Sequence, residues 1–215
     1  MESLYIVGAS GAAKEILLLV QHINATNRSY DFQGFIDLNP SQDSLTIGAN
    51  SYPVIKERDF LMAKPDTNLV FAIGDPQKLK TISAKYLDES HFSFPNLIHP
   101  KSSIDNSVNL GKGNIIAEAC ILTVDIEIGD FNYINRGVHM GHDVTIESFN
   151  VINPCAVISG GVTIKNYNLI GANAAVLQYL KIGNKNKIGA GAVLTASVND
   201  DNVLVGVPAK SIKHA

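Results

Sequence analysis

Residues 104–194, cut into sixes, read IDNSVN LGKGNI IAEACI LTVDIE IGDFNY INRGVH MGHDVT IESFNV INPCAV ISGGVT IKNYNL IGANAA VLQYLK IGNKNK IGAGAV L. The first place of each hexad is Ile, Leu, Met or Val, from Ile104 to Leu194, sixteen times without a break. Those four residue types make up roughly three-tenths of the chain, so chance gives such a run with odds on the order of 10⁻⁹. A fixed short period sustained over this length means a repeat architecture, and a period of six means a parallel β-helix.

Looking three hexads ahead sharpens the register. Asn114, Asn132, Asn150, Asn168 and Asn186 stand 18 residues apart at the fifth place of their hexads. A second series is Cys120, Val138, Ala156, Ala174 and Ala192, and a third is Val108, Ile126, Val144, Val162, Leu180 and Val198. Each series has its own chemistry, so three hexads form one triangular coil and like residues stack from coil to coil. Stacked Asn side chains can hydrogen-bond along such a ladder. Five to six coils, with strands about 4.8 Å apart, give a prism roughly 25 Å long.

The first hundred residues follow another period. Leu4–Val7, Gly34–Asp37 and Leu69–Ile73 read as short strands, and Ala12–Ile23 and Pro76–Leu87 as helices. Alternating strands and helices predict a small Rossmann-like parallel sheet with right-handed crossovers. The proline-bearing stretch Phe94–Pro100 is the expected passage, so the domains are read as 1–98 and 99–215.

The totals narrow the function. A formal charge of −3 without a basic block speaks against nucleic acid and against an anionic membrane surface. The apolar run Ile16–Val20 is too short to span a bilayer and lacks signal-peptide flanks. Cys120 and Cys155 give neither a disulfide framework nor metal-ligand spacing. A soluble cytoplasmic protein with no metal is the expectation.

The hexads, with the near-terminal Gly206-Val207-Pro208-Ala209-Lys210, resemble the left-handed β-helix of hexapeptide-repeat acyltransferases. With the α/β domain ahead of the prism, the whole chain is similar to the sugar acetyltransferases of the bacillosamine and sialic acid pathways (the PglD/NeuD type). The left hand of the helix is implied by that resemblance. So are acetyl-CoA as cosubstrate, a nucleotide-linked amino sugar as acceptor, and a homotrimer with the thioester site between two prisms.

Acyl transfer from a thioester needs a base for the attacking group and a donor for the developing oxyanion. His142, in Met140-Gly141-His142-Asp143, is the best base, because a histidine is poised near neutral pH. The resemblance implies that Asp143 is its carboxylate partner. Neighbours on a strand point to opposite faces, so Asp143 must reach back around a bend, or another group does its job. Eighteen residues after His142 comes Gly160, whose bare backbone N–H is the candidate oxyanion donor. The resemblance also places Asn135 near the reaction centre. His139 reads as a surface histidine at a corner.

Coenzyme A is expected along the prism, against Gly160, Gly171, Ala172, Gly189 and Ala190, with Lys210 available to a phosphate. The resemblance also implies a coenzyme position at Val151, where relatives commonly carry histidine, so no side-chain contact transfers there. In the first domain, the Gly8-Ala9-Ser10-Gly11 turn opens a helix, and helix N-termini attract phosphate. The resemblance implies an acceptor pocket of Ser10, Gly11, Ala12, Asp37, Gly74 and Asp75, with Ala12 replacing the family's usual histidine. Other readings stay open: O-acetylation of a sugar hydroxyl, a metal-dependent β-helix carbonic anhydrase, an NAD oxidoreductase, or a non-catalytic scaffold. The carbonic anhydrase needs three converging histidines, which the spacing of His139 and His142 does not supply.

Overall fold

The computed structural model describes residues 1–63 and 65–212; residues 213–215, the end of the second expected domain, lie outside them. The first domain runs β1 (Glu2–Val7), α1 (Gly11–Thr26), β2 (Tyr30–Asp37), β3 (Ser44–Ile47), β4 (Asn50–Lys56), α2 (Glu57–Ala63), β5 (Thr67–Phe71), α3 (Pro76–Leu87) and β6 (Phe92–Ser93). They form one sheet in the order β3-β4-β2-β1-β5-β6, parallel except where β3 runs against β4. The expected strands and helices are present, and α3 has the expected bounds. The β3–β4 hairpin, α2 and β6 are additions. Their alternation (Leu45, Ile47, Tyr52, Val54) is short and set among polar residues, so it gives little periodic signal.

The second domain is a left-handed parallel β-helix of two-residue strands joined by corners. Its first face holds the strands at 97–98, 115–116, 133–134, 151–152, 169–170 and 187–188, and the second those at 103–104, 121–122, 139–140, 157–158, 175–176 and 193–194. The third holds those at 109–110, 127–128, 145–146, 163–164 and 181–182. Pairing is offset by 18 residues, as in Ile115 with Tyr133 and Met140 with Ile158. The first hexad place points inward, and from Ile116 to Leu194 every member of that series is buried. The Leu97–Ile98 strand already pairs with Ile115–Ile116, so coiling begins at Leu97.

Corners turn because every sixth residue adopts positive φ, from Gly113 to Gly191. Only four of these fourteen places, Gly113, Gly137, Gly161 and Gly191, hold glycine. The others place an L residue in the left-handed region, at a cost of about 1 kcal/mol or more each. Interior burial and the coil-to-coil ladder offset that cost. In the Asn ladder each side-chain Oδ1 accepts the next asparagine's main-chain N–H: Asn114 from Asn132, Asn132 from Asn150, Asn150 from Asn168 and Asn168 from Asn186, at 2.8–2.9 Å. Asn96 and Asn202 extend it at its ends.

The last coil corrects one expectation. Val198 bridges Ile182, not Leu180, and Leu204 pairs with Ile188, so the closing offset is 16 residues. Two residues are missing from the corner after Leu194, and Val198 therefore belongs to the inward hexad series.

The three faces differ in what covers them. Outward residues Leu97, Ile115, Tyr133 and Val151 of the first face are buried under α1 in one hydrophobic cluster. The third face presents Asn109, Glu127, Thr145, Thr163 and Lys181. The second presents Ile121 and Val157, each 42% exposed, with His139 between them.

Candidate active site

His142 and Asp143 stand on the corner that follows the second face, not on a strand. Asp143 has φ +57°, and this turn swings its carboxylate back to the preceding side chain. His142 Nδ1 and Asp143 Oδ2 lie 2.6 Å apart. A carboxylate accepts only, so Nδ1 carries the proton and Nε2 is left with its lone pair. The bend that the strand geometry demanded is thus the positive-φ residue itself.

The stacking register puts Gly160 directly beneath the ring. A Cβ on Gly160 would stand 2.6 Å from His142 Nε2 and 2.7 Å from Cε1, so no side chain fits there. The neighbouring Gly161 N–H donates to the His142 carbonyl at 2.8 Å and pins the two coils together at this point. Among the described residues the Gly160 N–H donates no hydrogen bond. Gly141 leaves that amide uncovered, because a Cβ at 141 would come to 2.7 Å from Gly160 N. Gly141 was not singled out from the sequence, although the same register places it one residue out of step with Gly160. A base with a free lone pair and an unpartnered amide beside it are the two parts that acyl transfer requires.

The remaining candidates on the prism lie on the other edge of the same face. Asn135 sits on the corner before the second face and is buried, its Oδ1 accepting the Arg136 N–H at 3.1 Å. No hydrogen bond joins it to His142 among the described residues. Gly171, Ala172, Gly189 and Ala190 continue the Asn135 edge along the later coils, where Ala190 is exposed. That bare edge fits a slender pantetheine arm. Val151 is corrected: it is 1% exposed beneath α1 on the first face, and its side chain meets neither edge. His139 opens the strand His139–Met140 and is exposed on the second face, not at a corner. Lys210 is exposed in the terminal hairpin, where Lys210 pairs with Val205.

In the first domain, β1 and β5 are neighbours whose connections leave in opposite directions, the switch point where open α/β sheets bind ligands. Gly8 (φ +109°) lets the β1 turn pass Ala72, since a Cβ would meet the Ala72 carbonyl oxygen at 3.0 Å. Ser10 is the N-cap of α1, yet its side chain makes no cap hydrogen bond. Gly11 and Gly74 have open space at the Cβ position, and Ala12 is half-buried. Asp37 accepts the Asn39 N–H at 3.1 Å and borders a cavity of about 140 Å³ with Ala9 and Ser41. Asp75 caps α3, accepting from the Gln77 and Lys78 N–H groups at 2.9 Å. It also lines a cleft of about 390 Å³ whose opposite wall carries Tyr167, Lys185 and Lys187. Sequence reasoning missed that wall, although the 18-residue register already pairs Tyr167 with Lys185.

Residues 3–86 match the family described as the PglD N-terminal domain. Comparison with curated protein sequences gave no match. The fold follows solved structures over its whole length. Perosamine N-acetyltransferase from Caulobacter crescentus, a histidine-substituted variant in complex with CoA and GDP-perosamine, is 26% identical with TM-score 0.87, covering 100% of this chain and 98% of that one. WeeI from Acinetobacter baumannii AYE is 27% identical with TM-score 0.87, covering 99% and 100%. The acetyltransferase domain of PglB from Neisseria gonorrhoeae FA1090, in complex with acetyl coenzyme A, is similar in fold at 24% identity, TM-score 0.87 and coverage of 98% and 99%.

Proposed function

We propose that this chain, matched at residues 3–86 by the PglD N-terminal domain family and similar along its full length to a solved perosamine N-acetyltransferase, is a hexapeptide-repeat sugar acetyltransferase of the PglD type. It transfers the acetyl group of acetyl-CoA to the amino group of a nucleotide-linked amino sugar. The observation that carries this reading is His142 with Nδ1 tied to Asp143 and Nε2 over the bare backbone of Gly160.

His142 Nε2 takes a proton from the acceptor amine as its nitrogen attacks the thioester carbonyl. The Gly160 N–H donates to the oxygen as negative charge develops there. Collapse breaks the C–S bond, and the imidazolium returns its proton to the departing thiolate. The new bond is an amide, and free CoA thiol is released. Asp143 holds one tautomer and steadies the imidazolium. The first domain holds the acceptor, with the nucleotide over the unfilled Ser10–Gly11 end of α1 and the loops at Asp37 and Gly74. Both substrates belong to cytoplasmic pools, so the enzyme works in the cytoplasm.

The candidate residues divide between the two edges of the second face: His142, Asp143 and Gly160 on one, Asn135, Gly171, Ala172, Gly189 and Ala190 on the other. That face is apolar and exposed at Ile121 and Val157, and Val124 and Tyr179 add to it beside His142. Rotational association of copies through it brings the His142 edge of one to the Asn135 edge of the next. A homotrimer is the assembly that closes this contact with one site per interface. The test is thiol release from acetyl-CoA across a panel of nucleotide amino sugars. Release with at least one amine acceptor, cut ~10²–10⁴-fold in His142→Ala, supports the mechanism. Release unaffected by His142→Ala, or none with any acceptor, overturns it.

A further inference from the structure

Between α1 and the first coils of the prism lies a cleft that the reaction does not use. Its floor carries His22 on α1, His99 at the start of the prism and Glu118 one coil on, with Glu15 and Arg136 at its mouth. His22 Nδ1 and His99 Nε2 are 2.7 Å apart, and His99 is 3% exposed.

The composition of the cluster suits a metal ion, but its hydrogen bonding has the wrong polarity. The Lys101 main-chain N–H donates to His99 Nδ1 at 3.1 Å, so Nδ1 holds a lone pair and Nε2 holds the proton. A metal at Nε2 would need the reverse tautomer, in which two N–H groups face each other at Nδ1. The hydrogen bond that fits is His99 Nε2–H donating to the lone pair of His22 Nδ1. With His99 neutral its ring serves both contacts; a proton added at His99 Nδ1 sets an N–H against the Lys101 main-chain N–H and drives the ring from this seat.

We propose that His22 and His99 are positioning residues: a neutral histidine pair that latches α1, and so the acceptor turn at its N-terminus, to the prism, and that is unseated when His99 takes up a proton at the nitrogen facing Lys101. This rests on the reading of Ser10–Gly11 as part of the acceptor pocket. Glu118 is held as a carboxylate by Lys101, 3.2 Å away, and favours a charged ring. Lys101 opposes it, and Glu15 and Arg136 neutralise each other at 2.7 Å. Burial is the largest influence on His99 and draws it below the ordinary imidazole range. The unfolded chain therefore binds the proton more readily than the folded one. Stability from the latch is full above the ordinary histidine value of about 6.5 and falls as pH drops below it.

The test uses the intact protein and two readouts. The first is amide exchange of residues 11–26, corrected for the intrinsic effect of pH, between pH 7.5 and 5.5. Wild type should lose protection by roughly fivefold or more, the scale of one hydrogen bond, and His99→Gln, which keeps a donor but does not titrate, should not. His22→Gln, on the more exposed ring, guards against a variant that folds poorly. The second is the KM for the acceptor, which should rise over the same range in wild type alone while the KM for acetyl-CoA stays level. Wild-type exchange that ignores pH, or that His99→Gln shares, overturns the latch. So does Zn²⁺ that protects α1 in wild type but not in His99→Gln. If no amino sugar is acetylated at all, the exchange result still decides the latch and only the proposed function fails.

Discussion

At the scale of single residues, the proposed chemistry depends on two glycines as much as on a histidine. In the proposed mechanism Asp143 orients the ring and His142 moves the proton, so Asp143→Asn should lower kcat by less than His142→Ala does. Steady-state kinetics on purified variants measures that order. Gly160→Ala puts a methyl group where His142 Nε2 stands, 2.6 Å away, and pushes the ring off the amide. It should cost about 10²–10³ in kcat, the scale of an oxyanion donor, with the melting temperature nearly unchanged. A kcat within twofold of wild type would remove Gly160 from the reaction.

At the scale of elements, the ladder of asparagines is the main polar cohesion of the prism interior. Asn150 accepts the main-chain and side-chain N–H groups of Asn168 and donates to Asn132. Asn150→Ala leaves the Asn168 N–H buried without a partner, at a cost of about 1–3 kcal/mol, which urea unfolding would register as a lower midpoint. These positions were legible in the sequence because the hexad period converts directly into a spatial register. The same register predicted that His142 lies over Gly160. It failed where the period itself breaks, at the two-residue shortfall before Val198, and it misplaced His139, whose hexad place is the first residue of a strand. In the first domain, β1, β5 and α3 could be read from apolar runs, whereas the β3–β4 hairpin could not, since half of its alternation is exposed polar surface. Val151 could not be placed from sequence, because what covers it is the face of α1.

At the scale of the molecule, the proposed function has one chain carry two halves of a site on opposite edges of one apolar face, made whole by association of copies. Ile121→Asp together with Val157→Asp should turn the assembly into monomers by sedimentation and abolish turnover, with the circular dichroism spectrum retained. The most direct measurement is complementation. His142→Ala spoils one edge, and a double variant, Ala172→Trp with Ala190→Trp, blocks the other. Each variant alone should be inactive in acetyl-CoA-dependent thiol release. Co-expressed in equal amounts, they should regain about a quarter of wild-type activity, because one interface in four then joins two intact edges. Activity that stays at the level of the separate variants would contradict a site shared between copies, and with it the account given of this enzyme.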